Sequence, residues 1–481
     1  MKIKDIVRSV KDPKVAGLDV SDIADDSRFV KQGSVFFVIK RSNFDIFSVL
    51  KEIEKKVKVY VVSLEDKDQF IKMAINKPVI YVKKIEACFY RAVKKLYKPK
   101  PSLKIIGITG TNGKTSTGYF LYQLFKKMGK KTAFFGTIGY FIDSHKYKIA
   151  YTTADFLTLY KMIKKASQRN VDFLIMEVSS HSIAQERIKG IKFMRCVFTN
   201  ISRDHLDYHK TMDSYFKVKK SFFLRNNYSI INNDCYYGKK ILSDLDKAIS
   251  YGIKDKSDYQ AKNVRLFKSR TNFDLVVGNK NFSVSTSITG YHNVLNLLAA
   301  LATAHSLGFS RTKLLKLTSS LRKAEGRFER IAQDIFIDYA HTPEGLKQII
   351  SSLREVGYKQ IISVFGCGGQ RDQGKRAIMG KISSQLSDFT VITSDNPRKE
   401  DPLDICKQIK KGCLNRKFEI IIDRKKAIKK AILLYRNKKK IGKKVSVLIA
   451  GKGHEDYQIL KNKKVAFKDS RMAKDILKSL G

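Results

Sequence analysis

The sequence predicts an α/β protein of three domains, with a central, doubly wound, mostly parallel sheet that carries a phosphate loop and a C-terminal Rossmann-like α/β domain. Three observations predict this. Strand-length apolar runs alternate with helix-length segments, a glycine-rich turn links one such run to a helix, and a proline-marked linker precedes it. At 481 residues the chain exceeds one ordinary core, so about three domains are expected from length alone. The expected spans are 1–100, 101–328 and 329–481.

The first hundred residues hold strand-like runs at 34–39 and 57–63. They end in Tyr97-Lys98-Pro99-Lys100-Pro101, where two prolines disfavour helix. The runs at 103–108, 132–135, 173–178 and 194–198 are apolar throughout or nearly so, as buried parallel strands are. From 259 to 288 the pattern alternates with period two around a turn at Gly278-Asn279, which predicts an antiparallel ribbon. A helix is expected over 293–307, and after Gly326-Arg327 a second α/β series with strands near 335–339, 360–365, 389–393 and 445–450.

Hydrophobic residues make up 43% and aromatics 11%, which is enough to fill these cores and excludes a disordered chain. No stretch approaches the roughly 20 apolar residues of a membrane span, and no signal-peptide core follows the first residues, so a cytoplasmic protein is expected. Cys88, Cys196, Cys235, Cys367, Cys406 and Cys413 show no C-x-x-C spacing and are expected as idle thiols. The net charge of +50 invites a nucleic-acid reading. The lysines are nevertheless spread in short pairs, and the longest run, Lys438 to Lys440, reads as a surface turn. A diffuse solvated surface is the better account, one whose field favours an anionic substrate.

Residues 105–115, Ile-Ile-Gly-Ile-Thr-Gly-Thr-Asn-Gly-Lys-Thr, place a strand, a glycine turn and then Lys-Thr opening a helix. Backbone N–H groups and a helix N-terminus cradle phosphates in this geometry, Lys114 reaching the outer phosphates and Thr115 holding Mg²⁺. Ile108 stands where the general pattern has its first glycine, and a plain glycine turn is the competing reading. Glu177 falls at the carboxyl end of a predicted strand, where a doubly wound sheet presents ligands to its crevice; a helix cap is its alternative role. Arg371 and Arg398 are natural two-point readers of a carboxylate.

Gly110-Thr111-Asn112-Gly113-Lys114-Thr115 is the form this loop takes in the Mur ligases and the related folylpolyglutamate synthetases. Thr152-Thr153, Met176 to His181 and Thr199 to His209 resemble the Mur ligases as well. So do Gly326-Arg327, Asp338 to Pro343, Gly366 to Gly369, Arg371-Asp372, Asp395 to Arg398 and Gly451 to Glu455, and the likeness runs over residues 103–470. The resemblance implies an ATP-dependent amide ligase, monomeric and acting on small molecules only. It would join meso-diaminopimelate to UDP-N-acetylmuramoyl-L-alanyl-D-glutamate through an acyl phosphate. An L-lysine acceptor is the alternative. A basic phosphate-loop ATPase acting on nucleic acid is a more distant one, with no aromatic–basic platform behind it.

The resemblance also implies roles. Gly110, Thr111, Asn112, Gly113, Lys114, Thr115 and Ser116 would hold ATP, with Asn293 and His341 toward the adenine and Arg327 toward the phosphates. Thr115, Glu177, His205 and a CO₂-derived carbamate on Lys219 would serve two Mg²⁺ ions, making Lys114, Glu177, His205 and Lys219 the catalytic set. From residue type alone, His205 reads as a structural histidine and Lys219, crowded by Lys217 and Lys220, as part of a solvated helix face. Ser27, Thr152, Thr153, Ser179, Gln185 and Arg187 would hold the UDP-linked precursor. Arg371, Asp395, Asn396, Pro397, Arg398, Gly451 and Glu455 would hold the amino acid. Four places depart from the family pattern: Lys40 to Asp45 replaces a glycine-bearing loop, Ala154 a proline, His292 a phenylalanine, and Asp469-Ser470-Arg471 an Asp-Arg-Glu.

Overall fold

The computed structural model describes residues 1–41, 44–143, 145–148, 151–226, 228–414, 416–461 and 463–480. Ser42 and Asn43, at the centre of the divergent 40–45 stretch, lie outside the described residues. The chain divides into two compact units, one of residues 1–103, 154–170 and 187–191, the other of 104–153, 171–186 and 192–481.

Among the described residues the first unit is built on a four-stranded parallel sheet, in the order Ile23–Ala24, Ser34–Phe37, Val57–Ser63, Val79–Val82. Its core takes in the helix Phe156–Gln168, whose Phe156, Leu157 and Tyr160 pack with Phe89 and Val93. Asp155 caps that helix by accepting from Thr158 N, and Phe156 meets Tyr90 edge-on at 4.6 Å. Asp22 is buried and satisfied by the Tyr97 hydroxyl at 2.9 Å and Lys161 Nζ at 2.7 Å.

In the second unit, among the described residues, an eleven-stranded sheet centres on six parallel strands. They run Thr132–Gly136, Phe173–Glu177, Lys104–Thr109, Arg195–Phe198, Ser229–Asn232, Ala248–Gly252. The expected ribbon is present as Tyr259–Leu266, Thr271–Val277 and Lys280–Thr286, antiparallel to one another, with Gly278 at φ +58° in the turn. The strands Ser229–Asn232 and Ala248–Gly252 had no periodic signal, being short and mixed in polarity. Helix Tyr291–Ser306 is apolar nearly all round and lies buried against helix Lys114–Lys127, as such a helix must.

The unit's second sheet, of six strands among the described residues, has Glu329–Ala332 antiparallel to Ile335–Asp338. Val445–Ala450, Gln360–Phe365, Phe389–Ile392 and Phe418–Ile420 follow in parallel. The architecture is thus α/β with two large, mostly parallel sheets. One local expectation fails: Lys438, Lys439 and Lys440 are the last turn of helix Arg424–Lys440, not a surface turn. Cations there meet the negative end of the helix dipole, which turns a charge run into a helix ending. Among the described residues no helix is long and apolar enough to cross a membrane. All six cysteines are unbridged, Cys88, Cys196, Cys367 and Cys406 of them buried.

In Asp469-Ser470-Arg471 the aspartate is the residue that keeps the family pattern, and its retention has a physical account; nothing in the structure explains Ser470 and Arg471. Asp469 accepts from Arg424 Nε and Nη2, each at 2.7 Å, and both side chains are 0% exposed. Arg424 also donates to Ser394 O at 3.2 Å and Ala450 O at 2.9 Å, bracing the ends of two strands. Arg471 stands in solvent, so only the aspartate of the triplet is fixed from within. Asp469→Ala strands a buried guanidinium and is expected to cost about 3–5 kcal/mol, read from urea unfolding. A loss below about 1 kcal/mol would show the pair to be dispensable.

Candidate active site

The phosphate loop follows strand Lys104–Thr109 and opens helix Lys114–Lys127. Gly113 caps that helix at φ +88°, and a Cβ there would lie 2.3 Å from Asn296 Oδ1. A Cβ on Gly110 would lie 1.9 Å from Thr199 Oγ1. The closeness at Gly113 comes from helix Tyr291–Ser306, and that at Gly110 from the 199–205 segment, which stitches the loop in place. Thr111 N donates to Asn200 O at 2.8 Å, Asn112 N to Asn200 Oδ1 at 3.0 Å, and Thr199 Oγ1 to Asn112 O at 2.6 Å. Lys114 Nζ donates to Gly110 O at 2.8 Å and Thr111 O at 2.9 Å, and burial lowers its pKa against the pull of Glu177.

Glu177 is 1% exposed and fully engaged. Thr115 Oγ1 and Thr137 N donate to its Oε1, both at 2.9 Å, and Thr137 Oγ1 to its Oε2 at 3.0 Å. Gly136 leaves room for it, since a Cβ there would lie 2.2 Å from Oε1. Arg327, arriving from the second sheet's side, donates through Nη2 to Thr115 Oγ1 at 3.0 Å with its guanidinium 4.5 Å from the Tyr339 ring. Asn112, Gly113, Ser116, Asn293, Asn296 and Arg327 line a cavity of about 360 Å³, together with His292, Tyr339 and Ala340. His292, in the place of the family's phenylalanine, is buried and its pKa is pushed down to about 3. It is therefore a neutral ring at neutral pH, 6.0 Å from Phe328, which is how it can stand in for an aromatic side chain.

His205 sits at φ +56° beside His181, with ring centroids 4.9 Å apart, and burial lowers its pKa to about 3. Its Nε2 lies 3.4 Å from Asp204 Oδ2. His341 Nε2 lies 3.5 Å from the same oxygen. Burial pushes the Asp204 carboxyl up, but Lys375, His205 and His341 together hold it well below the usual range. Lys219 is singled out by burial: it is 1% exposed, whereas the Lys217 side chain is 75% exposed. Its Nζ donates to Gly110 O at 3.1 Å and Thr109 Oγ1 at 3.3 Å, and burial, reinforced by Lys114, holds its pKa well below the ordinary value. Residue type alone makes this side chain part of a solvated helix face; packing buries it.

Thr115 Oγ1 and Glu177 Oε1 form an oxygen pair suited to Mg²⁺. Among the described residues no three His, Cys, Asp or Glu side chains converge as a metal cluster.

Of the residues expected to hold the precursor, Thr152 meets Thr137 Oγ1 at 3.0 Å, Thr153 Oγ1 donates to Glu177 O at 2.9 Å, and Ser179 caps helix Ser180–Ala184. Gln185 Nε2 donates to the Tyr208 hydroxyl at 3.4 Å. Ser27, opening the short turn Ser27–Phe29 capped by Asp26, and Arg187 belong to the first unit.

The residues expected to hold the amino acid gather at the carboxyl ends of the second sheet. Arg398, at φ +57°, donates through Nη1 to Gly369 O at 2.7 Å and Asn396 O at 3.3 Å. Asn396 Nδ2 and the buried Lys452 Nζ donate to Glu455 Oε2 at 2.9 and 3.0 Å. Gln458 Nε2 holds Asp395 O at 2.8 Å, and Gly451 at φ +109° would put a Cβ 2.7 Å from Asp395 Oδ2. Pro397 is buried, and Arg371 is exposed near Arg398. Burial and then Arg371 lower the Arg398 pKa, and two neighbouring guanidinium groups of this kind call for an anion. Sequence reasoning missed Thr199, Asn200, Asp204, Lys375 and Lys452. Asp204 adjoins His205 within a recognised motif, the one signal that pointed to it.

The fold and the loop define a phosphate-loop α/β protein. Residues 108–304 match the Mur ligase middle domain, and residues 326–453 match the Mur ligase, glutamate ligase domain. The chain is 37% identical over 495 residues to UDP-N-acetylmuramoyl-L-alanyl-D-glutamate–2,6-diaminopimelate ligase 1 of Clostridium acetobutylicum, covering 100% of each. Its identity to the enzyme of that name from Clostridium tetani is 36%, again over 100% of each. The solved structure of a UDP-N-acetylmuramoyl-L-alanyl-D-glutamate–2,6-diaminopimelate ligase superposes with a TM-score of 0.66 at 27% identity, covering 100% of this chain and 99% of that one. The chain belongs to the Mur ligase family.

Gly113→Ala would force a side chain into the left-handed region, at about 1–2 kcal/mol, and against Asn296. ATP binding, measured by calorimetry, is expected to weaken by roughly tenfold. Unchanged affinity would remove this turn from the nucleotide site.

Proposed function

We propose that the chain joins meso-diaminopimelate to UDP-N-acetylmuramoyl-L-alanyl-D-glutamate with hydrolysis of ATP, the reaction for which the relatives above are named. The observation that carries the acceptor is the Arg371–Arg398 pair beside Asn396, Lys452 and Glu455. The first hundred residues would take the uridine end, with Ser27; residues 101–328 the ATP; and residues 329–481 the amino acid.

ATP transfers its γ-phosphoryl group to the side-chain carboxylate of the precursor's glutamate, because a free carboxylate is too poor an electrophile for an amine. ADP leaves, the acceptor's amine attacks the acyl phosphate, and phosphate departs as the amide forms. The loop N–H groups and Lys114 offset the charge that builds on the transferred group. Thr115 and Glu177 would hold Mg²⁺, and His205 and Lys219 a second ion; the metal supplies charge neutralisation across the phosphates. Lys219 supports a carbamate because only an unprotonated amine adds to CO₂, and its depressed pKa favours that form. The added CO₂ and the lost proton turn a cation into an anionic oxygen ligand. Thr152, Thr153, Ser179, Gln185 and Arg187 would position the dipeptide.

Lys114→Ala is expected to cut phosphate release at least about a hundredfold while leaving unfolding unchanged, the scale of losing one charge-stabilising donor. Near-normal turnover would take the loop out of the chemistry. Specificity gives a second expectation. Arg398 facing lysine's lone ammonium is repelled and gains no carboxylate beyond its backbone acceptors, so diaminopimelate should exceed L-lysine in kcat/KM on the order of 10⁴-fold. Arg398→Ala should collapse that ratio with little effect on ATP binding. A wild-type preference for L-lysine would overturn the acceptor and leave the ligase reaction standing.

A further inference from the structure

Two adjacent residues of the 199–205 segment are gripped by the 371–375 segment with the charges reversed. Arg203 Nη2 donates to Asp372 Oδ1 at 3.3 Å, and Lys375 Nζ to Asp204 Oδ1 at 3.3 Å. Gly374 N fixes Asp372 Oδ1 at 2.9 Å. The other oxygen of Asp204 faces His205 Nε2 at 3.4 Å and His341 Nε2 at 3.5 Å. Asp204 and Lys375 are both buried, so water and salt screen their contact little. Lys375 opens helix Lys375–Leu386 and His341 follows strand Ile335–Asp338, both in the second sheet's layer, whereas His205 stands on the phosphate-loop sheet.

A carboxylate that engages one nitrogen of an imidazole sets how the ring is turned and which nitrogen is left for a ligand. Here that carboxylate is itself held by a lysine from the other sheet. We propose that Asp204 and Lys375 are positioning residues for the ligase reaction: Lys375 anchors Asp204, Asp204 orients the His205 imidazole, and His205 is thereby held in working geometry only with the two sheets together. Neither residue touches the reacting atoms in this account; both act through His205. The inference rests on the function proposed above.

Four proteins test it: wild type, Asp204→Asn, Lys375→Met and the double variant. Each is assayed for phosphate release with the UDP-linked dipeptide and meso-diaminopimelate, and for ATP binding by calorimetry. Each single variant should lose about 10–100-fold in kcat, the scale found for partners that orient a metal-bound histidine. The double variant should fall no more than about threefold below the weaker single one, since both remove the same support. ATP affinity should stay near wild type, and Lys375→Arg should recover most of the kcat that Lys375→Met loses. Losses that multiply in the double variant overturn the proposal, as does wild-type kcat in Lys375→Met. If Asp204→Asn fails to fold, equal kcat in Lys375→Met and Lys375→Arg overturns it. A wild-type enzyme without diaminopimelate-dependent phosphate release sinks the proposed function instead, which keeps the two failures apart.

Discussion

The buried Glu177 carboxylate is the constraint around which the second unit is arranged. A carboxyl group with 1% exposure needs its oxygens met by donors, and Thr115, Thr137 and the space left by Gly136 meet that need. Those donors fix three things at once: the first turn of the phosphate-loop helix, the turn after strand Thr132–Gly136, and through Thr115 the reach of Arg327. A single substitution at Gly136 would therefore disturb the loop, the neighbouring turn and the arginine together.

The strands with continuous apolar sequence were legible because both faces of a parallel sheet are covered. Val57–Ser63, Gln360–Phe365 and Val445–Ala450 fall where the apolar runs fall. Ser229–Asn232 and Ala248–Gly252 were not legible, since four or five residues of mixed polarity carry no period. Lys438 to Lys440 misled because a lysine run has the same composition in a solvated turn and at a helix C-terminus, and only the buried Ala431, Ile432 and Tyr435 before it decide between them.

The site was legible in unequal parts. The glycine–lysine turn announces itself, because few residue types can make that backbone path. Lys219 did not, because three lysines on one helix look alike until packing leaves one of them 1% exposed. Asp204 and Lys375 were harder still: a contact between positions 171 apart in sequence has no local pattern. The His292 departure and the retained Asp469 became intelligible only with neighbours in view, Phe328 for one and Arg424 for the other.

The path of the chain between its two compact units has a genetic consequence. The backbone passes from one to the other after residues 103, 153, 170, 186 and 191, and helix Phe156–Gln168 supplies core side chains to the first unit from within the sequence of the second. Recombination between related genes at any one crossover near residue 103 would bring in a first unit whose Phe89 and Val93 face a foreign Phe156, Leu157 and Tyr160. Exchange of the N-terminal module between family members is thus confined to partners whose helix core has drifted in step with it, and this part of the protein is inherited as an interleaved pair rather than as a detachable cassette.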